Sequence, residues 1–224
     1  MVSRVRQWLR KKQQFDKLLK IHDRYKTHTM MDLYLFADNL KLAQGVDHIL
    51  GDVVKCGVWR GGMSAGLATV LTGNRHYYLF DSFEGMPAPT EQDGASAHAW
   101  FRGEMPHSYY DNCSADTSFA QAVMETTSKP FTLVKGWFNQ TLPDFEIKAP
   151  IAILRLDADW YDSIKICLEK FYPAMARGGL VLLDDYYTWD GCSRAVHDFL
   201  SQRQSTARIS KSNNGVAYFY KTPD

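Results

Sequence analysis

The chain has 224 residues, enough for one medium-sized domain that buries a full core without disulfide staples. Its net charge of +1 is unevenly spread: residues 1–28 carry nine of the 26 Lys and Arg but two of the 25 Asp and Glu, leaving the remainder with 17 basic against 23 acidic residues, a net of −6. An acidic body argues against a nucleic-acid partner, and no continuous apolar run is long enough for a secretory leader or a membrane span.

Cys56, Cys113, Cys167 and Cys192 lack CxxC spacing, so neither a disulfide framework nor a zinc site is expected, and a reducing cytoplasm is the expected compartment. In residues 1–28, Val5, Trp8, Leu9, Phe15, Leu18 and Leu19 recur at helical spacing among the basic residues. This predicts an amphipathic helix that packs on the domain or on a second subunit; membrane contact is not expected.

A second helix is predicted from about Met31 to Leu50. Alternating units follow. A strand at 52–58 leads through a glycine turn into a helix ending at Leu71, and a strand at 76–82 leads into a long polar segment, 87–115. A helix near 117–127 precedes a strand at 131–136 and a loop with Trp137 and Phe138. A strand at 151–157 precedes a helix over 162–176, which Gly178 and Gly179 should end. A strand at 179–185, a helix around 193–202, and a hairpin turning at Asn213, Asn214 and Gly215 complete the chain. Five strand–helix units and a hairpin predict an α/β fold, an open and mostly parallel sheet with helices on both faces.

Two apolar runs turn abruptly acidic: ILRLDADWYDS at Asp157 and Asp159, and GLVLLDDYY at Asp184 and Asp185. Ligands of open α/β sheets bind outside the carboxyl ends of the strands, where these residues fall. Carboxylates gathered there either cap helices or hold a cation and do proton chemistry. Asp157 and Asp159 would share a face if the strand stays extended through both. Gly57, Gly61 and Gly62 in CGVWRGG would let backbone approach a ligand, although the spacing is not the dinucleotide GxGxxG. Asp81 at the next strand end suits a ribose or a helix cap; beside the glycine turn, a nucleoside-bearing ligand is the better reading.

The ordered motifs CGVWRGG, LFDSFEGMP, KGWFNQTLP, LRLDADWYDS and LVLLDDYYTW resemble the macrocin-type (TylF-type) O-methyltransferases, from about Thr29 to residue 200. The resemblance implies a Rossmann-like class I methyltransferase. Such a fold has a seven-stranded, mostly parallel sheet with an antiparallel last strand. Residues 1–50 would form an N-terminal helical extension and 51–224 the S-adenosylmethionine domain, with a mobile lid at 87–115. It further implies that Cys56, Gly57, Val58, Trp59, Arg60, Gly61 and Gly62 wrap the methionine end of S-adenosyl-L-methionine. Asp81 would hold the ribose beside Ser82, Phe83 and Gly85, and Trp137 and Phe138 would border the adenine. Ser163 would contribute from the following helix, while Thr29 and Met30 close over the cofactor. Asp157, Asp184 and Asp185 fall on the family's divalent-metal ligands, expected to hold Mg2+, and Asp159 on its proposed general base. One position departs: Lys55 stands where the family has Glu, and could pair with a carboxylate or turn to the cofactor.

The expected activity is metal-dependent O-methylation of a sugar or glycosylated natural product. A catechol- or phenol-type methyltransferase and a non-catalytic cofactor-binding subunit are the alternatives. The expected partners are a small-molecule, glycoside-type substrate and, as an open assembly state, a homodimer. His98 and His107 in the lid read as solvent-facing loop residues or as alternative bases.

Overall fold

The computed structural model describes residues 2–105 and 111–223; His107 lies outside them. Seven strands form one sheet: β1 (Asp52–Cys56), β2 (Tyr77–Asp81), β3 (Phe131–Lys135), β4 (Ile151–Leu156), β5 (Met175–Leu183), β6 (Ser210–Lys211) and β7 (Ala217–Tyr220). Their order is β3-β2-β1-β4-β5-β7-β6, with β1 to β5 mutually parallel and β7 antiparallel to both neighbours. The chain moves outward from β1 to β3, then returns to lay β4 on the other side of β1. The switch point, where such sheets bind ligands, therefore lies between β1 and β4.

Eight α-helices flank the sheet among the described residues: α1 (Val2–Tyr25), α2 (Leu33–Gly45), α3 (Gly62–Val70), α4 (Gly94–Phe101), α5 (Thr117–Glu125), α6 (Phe138–Thr141), α7 (Tyr161–Phe171) and α8 (Asp190–Gln202). Alternation along the strands divides the core in two. Val53, Leu79, Ile153 and Leu182 face one side and pack against Leu18, Phe36, Leu40, Leu67 and Val123. Val54, Phe80, Leu154 and Leu183 face the other and meet Ile164, Leu168, Val196 and Phe199. Helices α1 and α2 therefore help complete the first core. Leu18 and Tyr25 carry that contact, while Trp8 and Leu9 stay exposed.

Three predicted elements differ in the structure. α2 starts after Asp32, whose carboxylate accepts the Tyr34 N–H (2.8 Å), and it ends at Gly45, not near 50. The helix expected over 162–176 stops at Phe171. Pro173 then sits in a 3-10 turn, and Met175 already pairs with Ile151 in β5. Gly178 and Gly179 lie inside β5, where its register with β4 shifts, so they mark a strand irregularity. The segment 87–115 is also more than a polar loop. It holds α4, whose Trp100 packs edge-on against Trp160 and Trp189, at ring-centroid distances of 5.8 and 6.2 Å. His98 is held within this segment by the Thr90 carbonyl (3.1 Å).

Candidate active site

The ends of three strands stand abreast. The Gly57 N–H donates to the Phe80 carbonyl (2.8 Å), Asp157 to Cys56 (2.9 Å) and Asp184 to Leu156 (3.0 Å). Lys55, Arg155 and Leu182 are aligned in register across β1, β4 and β5. Two residues further on, Gly57, Asp157 and Asp184 occupy the same face of the sheet. Gly57 has φ +81°, and a Cβ there would collide with the Asp157 carbonyl. Its glycine is required by that close strand approach. Gly61 is packed against Ala120 and Val123, and Gly62 against the His28 carbonyl. A side chain at either position would run into these neighbours, so both glycines let helices pack closely.

Arg155 is fully buried and organises the acidic residues. Its Nη1 donates to Asp157 Oδ2 (2.5 Å), its Nη2 to Asp184 Oδ1 (2.6 Å), and its Nε to Asn39 Oδ1 from α2 (3.1 Å). Lys55 Nζ donates to the same Asp157 oxygen (2.7 Å) and to the Gly57 carbonyl. Of the two readings left open for Lys55, the structure therefore shows the carboxylate pair.

Asp157, Asp184 and Asp185 each offer an oxygen within 4.8 Å of the others. Burial alone would raise Asp157, but Lys55 and Arg155 outweigh it and hold that carboxyl well below the usual range. Burial pushes Asp184 up to about 7 despite Arg155, and burial together with Asp159 and Asp184 raises Asp185 well above its ordinary value. An all-oxygen cluster with this much crowded negative charge suits a hard cation.

Asp159 does not continue β4, so the condition for sharing a strand face with Asp157 fails. β4 ends at Leu156, the Trp160 N–H closes a tight turn on the Ala158 carbonyl (2.6 Å), and Asp159 has φ +53°. This left-handed backbone carries the Asp159 carboxylate to Trp189, whose Nε1 donates to Oδ1 (2.8 Å). The Asp159 N–H points to Asp185 Oδ2 (3.4 Å). Burial and then the charges of Asp157 and Asp184 push Asp159 up to about 7.

A cavity of about 690 Å³ opens at the switch point, within the size range of small-molecule sites. Thr29, Met30, Gly57, Val58, Trp59, Asp81, Ser82, Gly85, Trp137, Phe138 and Ser163 line it together with Asp157, Asp159, Asp184 and Asp185. Asp81 Oδ2 accepts the Val58 and Trp59 N–H groups (2.5 and 2.8 Å), and Oδ1 accepts the Phe83 N–H (2.7 Å), so this carboxylate ties the glycine turn to the end of β2. Trp59 Nε1 is buried with no partner among the described residues, an indole donor available to a bound molecule.

Cys56, Arg60, Gly61, Gly62 and Phe83 do not reach the cavity. Cys56 is turned into the second core, and Phe83 into the first. Arg60 stacks on the Trp59 and Phe119 rings, at 4.5 and 4.8 Å from their centroids. Residue reasoning missed Met63, Cys113, Asn139 and Gln140 in the lining. It also missed Arg155 and Trp189 as holders of the acids. Arg155 had a readable signal, a cation inside an apolar strand two residues before an aspartate.

The sheet order and the cavity at its switch point define a class I methyltransferase fold, the architecture of S-adenosylmethionine-dependent enzymes. The solved structure of the O-methyltransferase NovP superposes with a TM-score of 0.72 at 25% identity, covering 88% of this chain and 83% of that one. The calicheamicin methyltransferase CalS11 shares the fold, with a TM-score of 0.67 at 18% identity over 93% of this chain and 91% of that one. Residues 28–221 match the macrocin-O-methyltransferase (TylF) family, and the chain belongs to it. It is an O-methyltransferase. Among curated relatives, the 8-demethyl-8-(2,3-dimethoxy-alpha-L-rhamnosyl)-tetracenomycin-C 4'-O-methyltransferase of Streptomyces olivaceus is 35% identical, over 87% of this chain and 75% of its own. The mycinamicin III 3''-O-methyltransferase of Micromonospora griseorubida is 31% identical, over 79% and 70%. No helix among the described residues is long and apolar enough to cross a membrane.

Proposed function

We propose that the chain methylates a hydroxyl on the sugar of a glycosylated small molecule, using S-adenosyl-L-methionine and a Mg2+ ion held by Asp157, Asp184 and Asp185. The observation that carries this reading is the convergence of those three carboxylates and Asp159 on one wall of the cavity. The cofactor would supply an electrophilic methyl, and the cation would act as a Lewis acid on the acceptor hydroxyl. Magnesium suits the site because every proposed ligand atom is a carboxylate oxygen.

The chain's own residues do the rest. Asp159 takes the proton of the acceptor hydroxyl, with its carboxylate held in place by the Trp189 indole. Arg155 fixes Asp157 and Asp184 in one orientation. Val58, Trp59, Asp81 and Ser82 bind the methionine and ribose portions of the cofactor, with Gly85 leaving space at the turn that follows. Trp137 and Phe138 border the adenine, Ser163 contributes from α7, and Thr29 and Met30 close the opening. Cys56, Arg60, Gly61, Gly62 and Phe83 shape this wall from behind. Holding the acceptor oxygen and methyl in line supplies much of the acceleration.

Polar lining from Thr90, Asn139 and Gln140 supports a sugar over the flat apolar slot that a catechol would need. Relatives named for a rhamnosyl-tetracenomycin and for mycinamicin III support a glycosylated acceptor. The test of the metal is removal: EDTA should lower turnover of a rhamnosylated acceptor by about 100-fold or more, the scale of a lost charge-stabilising group, and Mg2+ should restore it. Full turnover in excess chelator would remove the cation from the reading.

A further inference from the structure

Lys55 and Arg155 both donate to Asp157 Oδ2, yet they are built into the site differently. Arg155 also bonds Asp184 and Asn39, and it does not line the cavity. Its guanidinium is part of the scaffold. Lys55 holds only the Asp157 carboxylate and the Gly57 carbonyl, and it does line the cavity. Its ammonium thus sits on one oxygen of one of the three aspartates, at the cavity wall that all three line. Lys55 is 1% exposed, so solvent does little to screen its charge from a divalent cation on them.

Of the four aspartates, Asp157 is ion-paired with both Lys55 and Arg155, and Asp184 with Arg155. Removing the Lys55 charge would leave the cluster more negative and would leave Asp157 Oδ2 with Arg155 as its one remaining side-chain donor among the described residues. Both changes favour a bound cation.

We infer that Lys55 is a tethered counter-cation that competes with the divalent cation for Asp157 and so sets a weak cation affinity at this cluster. The inference rests on the proposed cation site. It makes Lys55 a tuning residue that lets the ion enter and leave readily, with Arg155 keeping the carboxylates in place when the ion is absent.

The test is a titration of the cofactor-free protein with Mn2+, an oxygen-seeking divalent cation, following free Mn2+ by electron paramagnetic resonance. Lys55→Met removes the charge at similar volume, and Lys55→Gln keeps a donor for the Gly57 carbonyl, so one variant serves if the other folds poorly. Both should bind Mn2+ at least tenfold more tightly than the parent. Lys129→Met, remote from the cavity, should bind like the parent, and adding Asp185→Asn to either Lys55 variant should abolish the gain. Equal or weaker binding by the Lys55 variants, with parent binding still lost in Asp185→Asn, would overturn the role of Lys55 and leave the cation site standing. No Mn2+ binding by the parent or by either variant at millimolar concentration would overturn both.

Discussion

Replacing Asp159 with Asn is expected to lower kcat by about 10²- to 10⁴-fold, the range of a lost general base. The thermal midpoint and S-adenosylmethionine affinity should stay close to those of the parent. The separation follows from the local structure. Asn tolerates the left-handed backbone that Asp159 adopts (φ +53°), and its amide oxygen can still accept the Trp189 N–H. What disappears is the group that accepts a proton. Calorimetric cofactor titration beside initial-rate kinetics checks both halves. A variant that turned over at the parental rate would transfer the role of base to another group, and one that lost cofactor binding would make Asp159 part of the cofactor pocket.

Arg155→Met should unfold far more easily than the parent. Arg155 is the only residue among those described that bonds Asp157, Asp184 and Asn39 together. Methionine matches its volume roughly but donates no hydrogen bond, leaving two carboxylates and an amide oxygen short of their partner. Breaking such a buried ion pair from one side costs about 3–5 kcal/mol. For a domain of this size that corresponds to a fall of roughly 10 °C in Tm. Thermal melts by circular dichroism measure it directly. An unchanged Tm would mean that Lys55 alone neutralises the cluster.

The order of strands and helices was legible because each buried parallel strand is a short apolar run and each exit carries a Gly or Asp. The strand-end acids at Asp157 and Asp184 were legible for the same reason, since apolar runs that stop on carboxylates stand out. Contacts between distant parts of the chain were not. Lys55 and Asp157 meet only because β1 and β4 lie side by side, which no local pattern specifies. Gly61 and Gly62 have Ala120, Val123 and His28 as neighbours, again distant in sequence. Asp159 misled for a local reason. Period-two alternation assumes extended backbone, whereas the chain turns at Ala158–Trp160 and sends Asp159 toward Trp189.

The proposed activity is defined by where the methyl group goes. Incubating the protein with S-adenosylmethionine carrying a labelled methyl, Mg2+ and a rhamnosylated aromatic acceptor, followed by fragmentation mass spectrometry, tests this directly. The predicted product is heavier by one labelled CH2 on the sugar fragment, with one S-adenosylhomocysteine formed per product. A label found on the aglycone, or S-adenosylmethionine bound and left unconsumed across a panel of glycosides, would contradict the proposal of a sugar O-methyltransferase.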